Sequence, residues 1–120
     1  MIQIPKNKQK YDLEERTFNF AKRVNKYVNK LPKTISNIEN GRQLVRSAGS
    51  VGANYIEANE SLSKKDFLLR IKIFKKEAKE SHYWLRLPEP IKEELLEKES
   101  LIKESIELMK IFGLILEKSR

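Results

Sequence analysis

Between Thr34 and Ser63 the chain contains no lysine, although lysine and arginine together make up 25 of its 120 residues. Inside that window the run Gln43 to Ala58, QLVRSAGSVGANYIEA, places Leu44, Ala48, Val51 and Tyr55 at spacings of three and four, the period of an α-helix. Wound at about 100° per residue, Ile38, Leu44, Val45, Ala48, Gly49, Val51, Gly52, Tyr55, Ile56 and Asn59 cover most of the helix circumference. A narrow polar strip remains: Gln43, Arg46, Ser47, Ser50, Asn54, Glu57 and Ser61. A helix that is apolar nearly all round is covered on more than one side, so this one is expected to touch both its own core and a neighbouring subunit. Gly49 and Gly52 point the same way. Each costs on the order of 1 kcal/mol of helix stability relative to alanine, a cost explained where a second helix backbone comes close.

The rest of the chain is organised around that segment by further helical periodicity. A first helix is predicted from Asp12, as N-cap, to Leu31, with Leu13, Phe20, Ala21, Val24, Tyr27, Val28 and Leu31 as its apolar stripe. Its opposite face carries Lys22, Arg23, Lys26 and Lys30, Phe18 lies off the stripe, and Pro32 ends it. The second helix is predicted over Ile35 to Leu62. A third starts at Ser63, where Ser63 and Asp66 form a capping-box-like pair. Phe67, Ile71, Phe74, Ala78, Ser81 and Leu85 form its seam, spaced as in a helical bundle. Lys65, Lys72, Lys76, Lys79 and Arg86 line the far side, and Asp66, Ile73, Glu77, Glu80 and Trp84 form a strip between. Pro88 and Pro90 end this helix. A fourth is expected from Ile91 to Glu117, interrupted near Glu99 and Ser100, with Leu95, Ile102, Ile106, Met109, Phe112, Gly113 and Leu116 facing the core. Nothing alternates with period two. The fold class is therefore all-α, four helices in a single domain over residues 12–120 behind a flexible basic arm at 1–11.

The absence of cysteine excludes disulfides and thiolate metal sites. Without a long apolar run or a secretion signal, the expected location is the cytoplasm, away from membranes. Di-metal carboxylate sites in such bundles need Glu-x-x-His pairs; the one histidine, His82, has Lys79 three residues before it. No glycine-rich phosphate loop or nucleophile elbow is present. No catalytic residue, metal or cofactor is expected. The net charge of +8 gathers in the arm and in helices one and three, which makes a polyanion the partner to consider.

The segments LP at 31–32, QLVRSAGSVGANYIEA at 43–58, SKKDF at 63–67 and KEAKESHYWL at 76–85, in that order and spacing, resemble the four-helix bundle family of 23S rRNA intervening sequence proteins, which is similar to the accessory variability protein of diversity-generating retroelements. The resemblance spans Asp12 to Leu87. It implies an up-down four-helix bundle that assembles as a ring-like homopentamer, with no established enzymatic activity. In the retroelement relatives a basic surface engages a reverse transcriptase and nucleic acid, so a reverse transcriptase and RNA or DNA are the partners it implies. The matched positions are Arg46, Ser50, Gly52, Asn54 and Glu57, then Asp66, Phe67, Lys76, Glu77, Glu80, Tyr83 and Trp84. The chain departs from the family pattern at Gly49, where a larger residue is usual, and at Pro88-Glu89-Pro90.

Two sets of candidate residues follow. Lys22, Arg23, Lys26, Lys30, Lys65, Lys72, Lys76, Lys79 and Arg86 are the candidate phosphate contacts; no aromatic residue is interleaved with them, so they are expected to bind backbone without reading bases. Arg46, Ser50, Gly52, Asn54, Glu57, Asp66, Ile73, Glu77, Glu80 and Trp84 are expected to be structural, partly buried at a subunit interface, with Glu77 or Glu80 as the partner of Arg46. The competing readings are a protein assembly module whose charge serves solubility, and a small-ligand binder or enzyme built on the polar strip of helix two.

Overall fold

A computed structural model describes residues 3–119, with side chains described from residue 13 onward. Four helices follow one another: α1 (Gln3–Asn29), α2 (Ile35–Asn59), α3 (Lys64–Arg86) and α4 (Leu95–Ser119), the last preceded by a 3-10 turn at Lys92–Glu94. Among the described residues there is no strand. α1 packs on α2, α2 on α3, α3 on α4, and α4 returns to α1. Short loops between consecutive neighbours make this an up-down bundle. α1 and α3 lie on a diagonal.

Helix ends follow local chemistry. α1 begins well before Asp12, so the segment expected as an arm is helical from Gln3 and Asp12 lies inside the helix instead of capping it. Pro5 falls in the first turn, where its missing N–H breaks no hydrogen bond. Thr34 caps α2 by accepting from the Asn37 N–H at 3.1 Å. Ser63 caps α3 by accepting from the Asp66 N–H at 3.1 Å. Because Ser63 needs extended backbone (φ −138°, ψ 155°), the chain must leave α2 before it. α2 accordingly stops at Asn59, short of the expected Leu62. α4 runs unbroken through Glu99 and Ser100; the discontinuity sits earlier, at the 3-10 turn, where Ile91 is extended after Pro90 (φ −65°, ψ 158°).

The core takes Phe20, Val24 and Tyr27 from α1, Leu44, Ala48, Val51 and Tyr55 from α2, Ile71, Phe74, Ala78 and Leu85 from α3, and Leu101, Leu108 and Phe112 from α4. Phe74 meets Phe112 with ring centroids 4.3 Å apart and Tyr55 at 5.6 Å, both tilted, an arrangement favoured by the ring quadrupoles. Fully burying one such side chain contributes about 1.5–3 kcal/mol. The core face of α4 is turned by about one residue from the expected one. Leu101, Ser105 and Leu108 are buried, Ile102 and Met109 are only partly covered, and Leu95 is exposed. Both registers of this helix are apolar, so periodicity alone did not separate them.

Two of the three glycines of α2 serve contacts within the chain. A Cβ on Gly52 would meet the Thr17 hydroxyl of α1 at 3.2 Å, and one on Gly41 would meet Val28 at 2.9 Å. The close approach expected at Gly52 is therefore the α1–α2 crossing, while Gly49 faces open space. At the end of the bundle holding the α1–α2 and α3–α4 connections, the buried Asn37 amide donates to the carbonyls of Pro32 and Glu89 and accepts from the Glu89 N–H, each at 3.0 Å. Lys98 donates to the Pro88 carbonyl at 2.9 Å. The Pro88-Glu89-Pro90 break is thus tied to α2 and α4.

Candidate nucleic-acid interface

The two basic rows meet different fates because α4 presents its carboxylates to only one neighbour. Toward α1 it offers a ladder. Arg16 binds Glu104 through two hydrogen bonds of 2.7 and 2.9 Å. Arg23 binds Glu97 through two of 3.0 Å and Ser100 at 2.7 Å. Lys30 lies 3.6 Å from Glu94. Arg16, Arg23 and Lys30 recur every seven residues, which keeps them on one face of α1. The hydrogen bonds that Arg23 donates to Glu97, with the charge of that carboxylate, raise the Arg23 pKa further despite partial burial. Of the candidate phosphate contacts on α1, Arg23 and Lys30 are therefore already engaged, and Lys22 and Lys26 remain exposed. Lys22 sits over the Phe18 ring at 5.4 Å.

The row on α3 is not neutralised. Lys65, Lys72, Lys76, Lys79 and Arg86 are all exposed, and among the described residues no carboxylate forms an ion pair with any of them. Lys72, Lys76 and Lys79 join Lys75 around a groove of about 400 Å³ between α3 and α4, whose remaining lining is Met109 and Leu116. Lys75 reaches over Gly113; a Cβ there would lie 3.8 Å from its ammonium. Four lysines and no carboxylate line this groove, a concentration of positive potential suited to phosphate. Because α1 and α3 are diagonal, the α1 and α3 rows do not merge into one surface within a single chain.

The second set of candidates gathers on the outer face of the α2–α3 pair as an intrachain network. Arg46 donates to Glu80 at 2.8 Å and to Glu77 at 3.4 Å, and its Nε donates to Gln43 at 3.1 Å. The hydrogen bond to Glu80, more than the charges around it, raises the Arg46 pKa. The expected partners are thus the observed ones, but the Arg46 side chain is 47% exposed. Ser50 donates to the Arg46 carbonyl at 3.0 Å, and Asn54 to the Ser50 carbonyl at 2.8 Å. Arg70 reaches Asn54 at 3.5 Å and lies 4.0 Å from Asp66. Glu57 is exposed, with no side-chain partner among the described residues. Ile73 and Trp84 are partly buried. The Trp84 ring packs against the core with Tyr83 edge-on at 4.9 Å.

Sequence reasoning missed three groups. Ser47, assigned to the polar strip, is buried and accepts from the Ser81 hydroxyl across the α2–α3 contact at 2.9 Å. Lys75 was passed over because it lies next to the seam, and Asn37 because a single amide carries no periodicity. The signal for Lys75 was available: it belongs to the same basic run as Lys72, Lys76 and Lys79. Among the described residues no cluster of three or more His, Cys, Asp or Glu is placed to hold a metal ion, and no helix is long and apolar enough to cross a membrane.

Compared with known proteins, residues 9–113 match the family model described as 23S rRNA-intervening sequence protein. A crystal structure of a protein of unknown function from the S23 ribosomal protein family of Bacteroides thetaiotaomicron is similar, with 29% identity and a TM-score of 0.75, covering 90% of this chain and 97% of that one. No curated protein matches the chain.

Proposed function

The chain belongs to the 23S rRNA-intervening sequence protein family, and on that premise we propose that it is a non-enzymatic, self-associating bundle that binds nucleic acid through its phosphate backbone. The observation that carries this is the α3–α4 groove, where Lys72, Lys75, Lys76 and Lys79 stand together without carboxylates. Backbone contacts of this kind release condensed counterions, so affinity falls steeply with salt and depends little on sequence. Self-association, as a homopentamer by family resemblance, draws support from the outer face of α1 and α2. Phe18, Ile38, Val45 and Ile56 are exposed there, 57%, 40%, 38% and 53% respectively, on or beside the lysine-free helix. A ring repeats the basic groove in every subunit, so weak single contacts add through multivalency. The cytoplasm is the location consistent with a nucleic-acid partner, and a reverse transcriptase is the protein partner the family resemblance brings.

The test is a binding titration against two unrelated RNA and two unrelated DNA oligonucleotides over a range of salt. Comparable, salt-sensitive affinities are expected for all four. Absence of binding at low salt removes the proposal in favour of a protein assembly module.

A further inference from the structure

We infer that the nucleic acid taken by the α3–α4 groove is single-stranded, with its phosphates on the α3 lysines and its bases turned onto Met109 and Leu116. This rests on the phosphate-binding reading above and specifies its ligand. The two walls of the groove differ in kind. All four lysines come from α3, and at 1.5 Å per residue Lys72 and Lys79 stand about 10 Å apart along the axis, so their ammonium groups form a short line and not a ring. The α4 wall contributes Met109, partly covered, and the edge of Leu116, which is 7% exposed, with Lys75 lying over Gly113 beside them. A ligand that satisfies both walls carries an anionic edge and an apolar edge side by side along its length.

A single strand is such a ligand, since its unstacked bases are free to splay away from the backbone. A duplex presents phosphates but keeps its base faces inside the stack, so it meets the lysines and leaves the apolar wall uncovered. A polyanion without bases does the same. The groove, at about 400 Å³, is the size of a small-molecule site. A single base fits a space of that size, whereas a double helix rests on its lysine rim. The thioether of Met109 is polarizable and favours contact with an aromatic ring, which gives base contact without a hydrogen-bonding code. The inference therefore keeps the expected indifference to sequence and adds a dependence on strandedness.

The experiment measures binding of the full-length protein by fluorescence anisotropy at fixed low salt. The probes are a uniform single strand, the same backbone made abasic, and a duplex, all with equal phosphate number. The based single strand should bind about two- to tenfold tighter than the abasic one, as contact between a base and a thioether implies. Met109→Gln, which keeps size and charge, should narrow that gap while leaving abasic binding unchanged, a pattern that a general folding defect does not produce. Equal affinity for based and abasic strands, or tighter binding of the duplex, overturns the inference and leaves the phosphate reading standing. Failure of every probe to bind removes both.

Discussion

Asn37 shows at the scale of one residue how this bundle closes its ends. Its amide makes three hydrogen bonds of 3.0 Å that join the α1–α2 connection to the α3–α4 connection, and it is 4% exposed. Asn37→Ala leaves those backbone groups unpaired in a buried place, so stability measured by denaturant titration should fall by about 1–3 kcal/mol. Tyr27 is the opposite case. Its ring fills the core at 1% exposure, while its hydroxyl has no hydrogen-bond partner among the described residues. Burial first, and the negative charge of Glu94 second, push its pKa up to about 12 from the usual 10.0. The folded state therefore holds that proton where the unfolded state releases it, so the contribution is whole below pH 10 and is lost as pH rises toward 12. Thermal melts across that window should show a steeper loss of stability for wild type than for Tyr27→Phe. Arg46 illustrates a smaller effect. With its side chain 47% exposed, its pairs with Glu77 and Glu80 belong with surface ion pairs worth about 0–1 kcal/mol, well below what a buried pair would give.

At the scale of the helices, α4 decides the distribution of charge. Its glutamates bind Arg16 and Arg23 of α1, and Glu94 of the 3-10 turn before it binds Lys30, so ion pairs line the edge of the seam that closes the bundle. A double-mutant cycle on Arg16 and Glu104 should give a coupling on the order of 1 kcal/mol that shrinks as salt is raised. This ladder was not legible in the sequence, because heptad spacing on α1 and glutamates on α4 become partners only once the helices are set antiparallel and in register. The cores of α2 and α3 were legible. Leu44, Ala48, Val51 and Tyr55 on α2 and Ile71, Phe74, Ala78, Ser81 and Leu85 on α3 recur at spacings of three and four, and on α3 the basic row opposite fixes the face. α4 lacks that contrast, since Leu101 with Ile102 and Leu108 with Met109 offer two adjoining apolar rows. Gly52 was legible as a close approach but not as to its partner: periodicity gives the face of a helix, not whether the helix that meets it is in the same chain. Gly52→Leu should strain the α1–α2 crossing at Thr17, costing about 1–3 kcal/mol as overpacking does. The measurement is the denaturation midpoint of the variant.

For the whole molecule, net charge is a poor guide until the paired groups are set aside. Part of the α1 row is consumed by α4, and what remains of it lies across a diagonal from α3. Among the described residues, Lys72, Lys75, Lys76 and Lys79 stand together on the α3–α4 groove with no carboxylate in its lining, and the proposal is that this wall, and not the +8 charge of the chain, carries nucleic-acid binding. The measurement that tests it most directly is the salt dependence of oligonucleotide affinity for wild type and for two charge-matched double variants, Lys72→Glu with Lys76→Glu, and Lys103→Glu with Lys118→Glu on the exposed side of α4. The α3 variant should lose affinity and about one unit of salt slope for each phosphate contact removed, while the α4 variant stays near wild type with unchanged helical content. Equal losses in the two variants, or affinity retained in both, would contradict it.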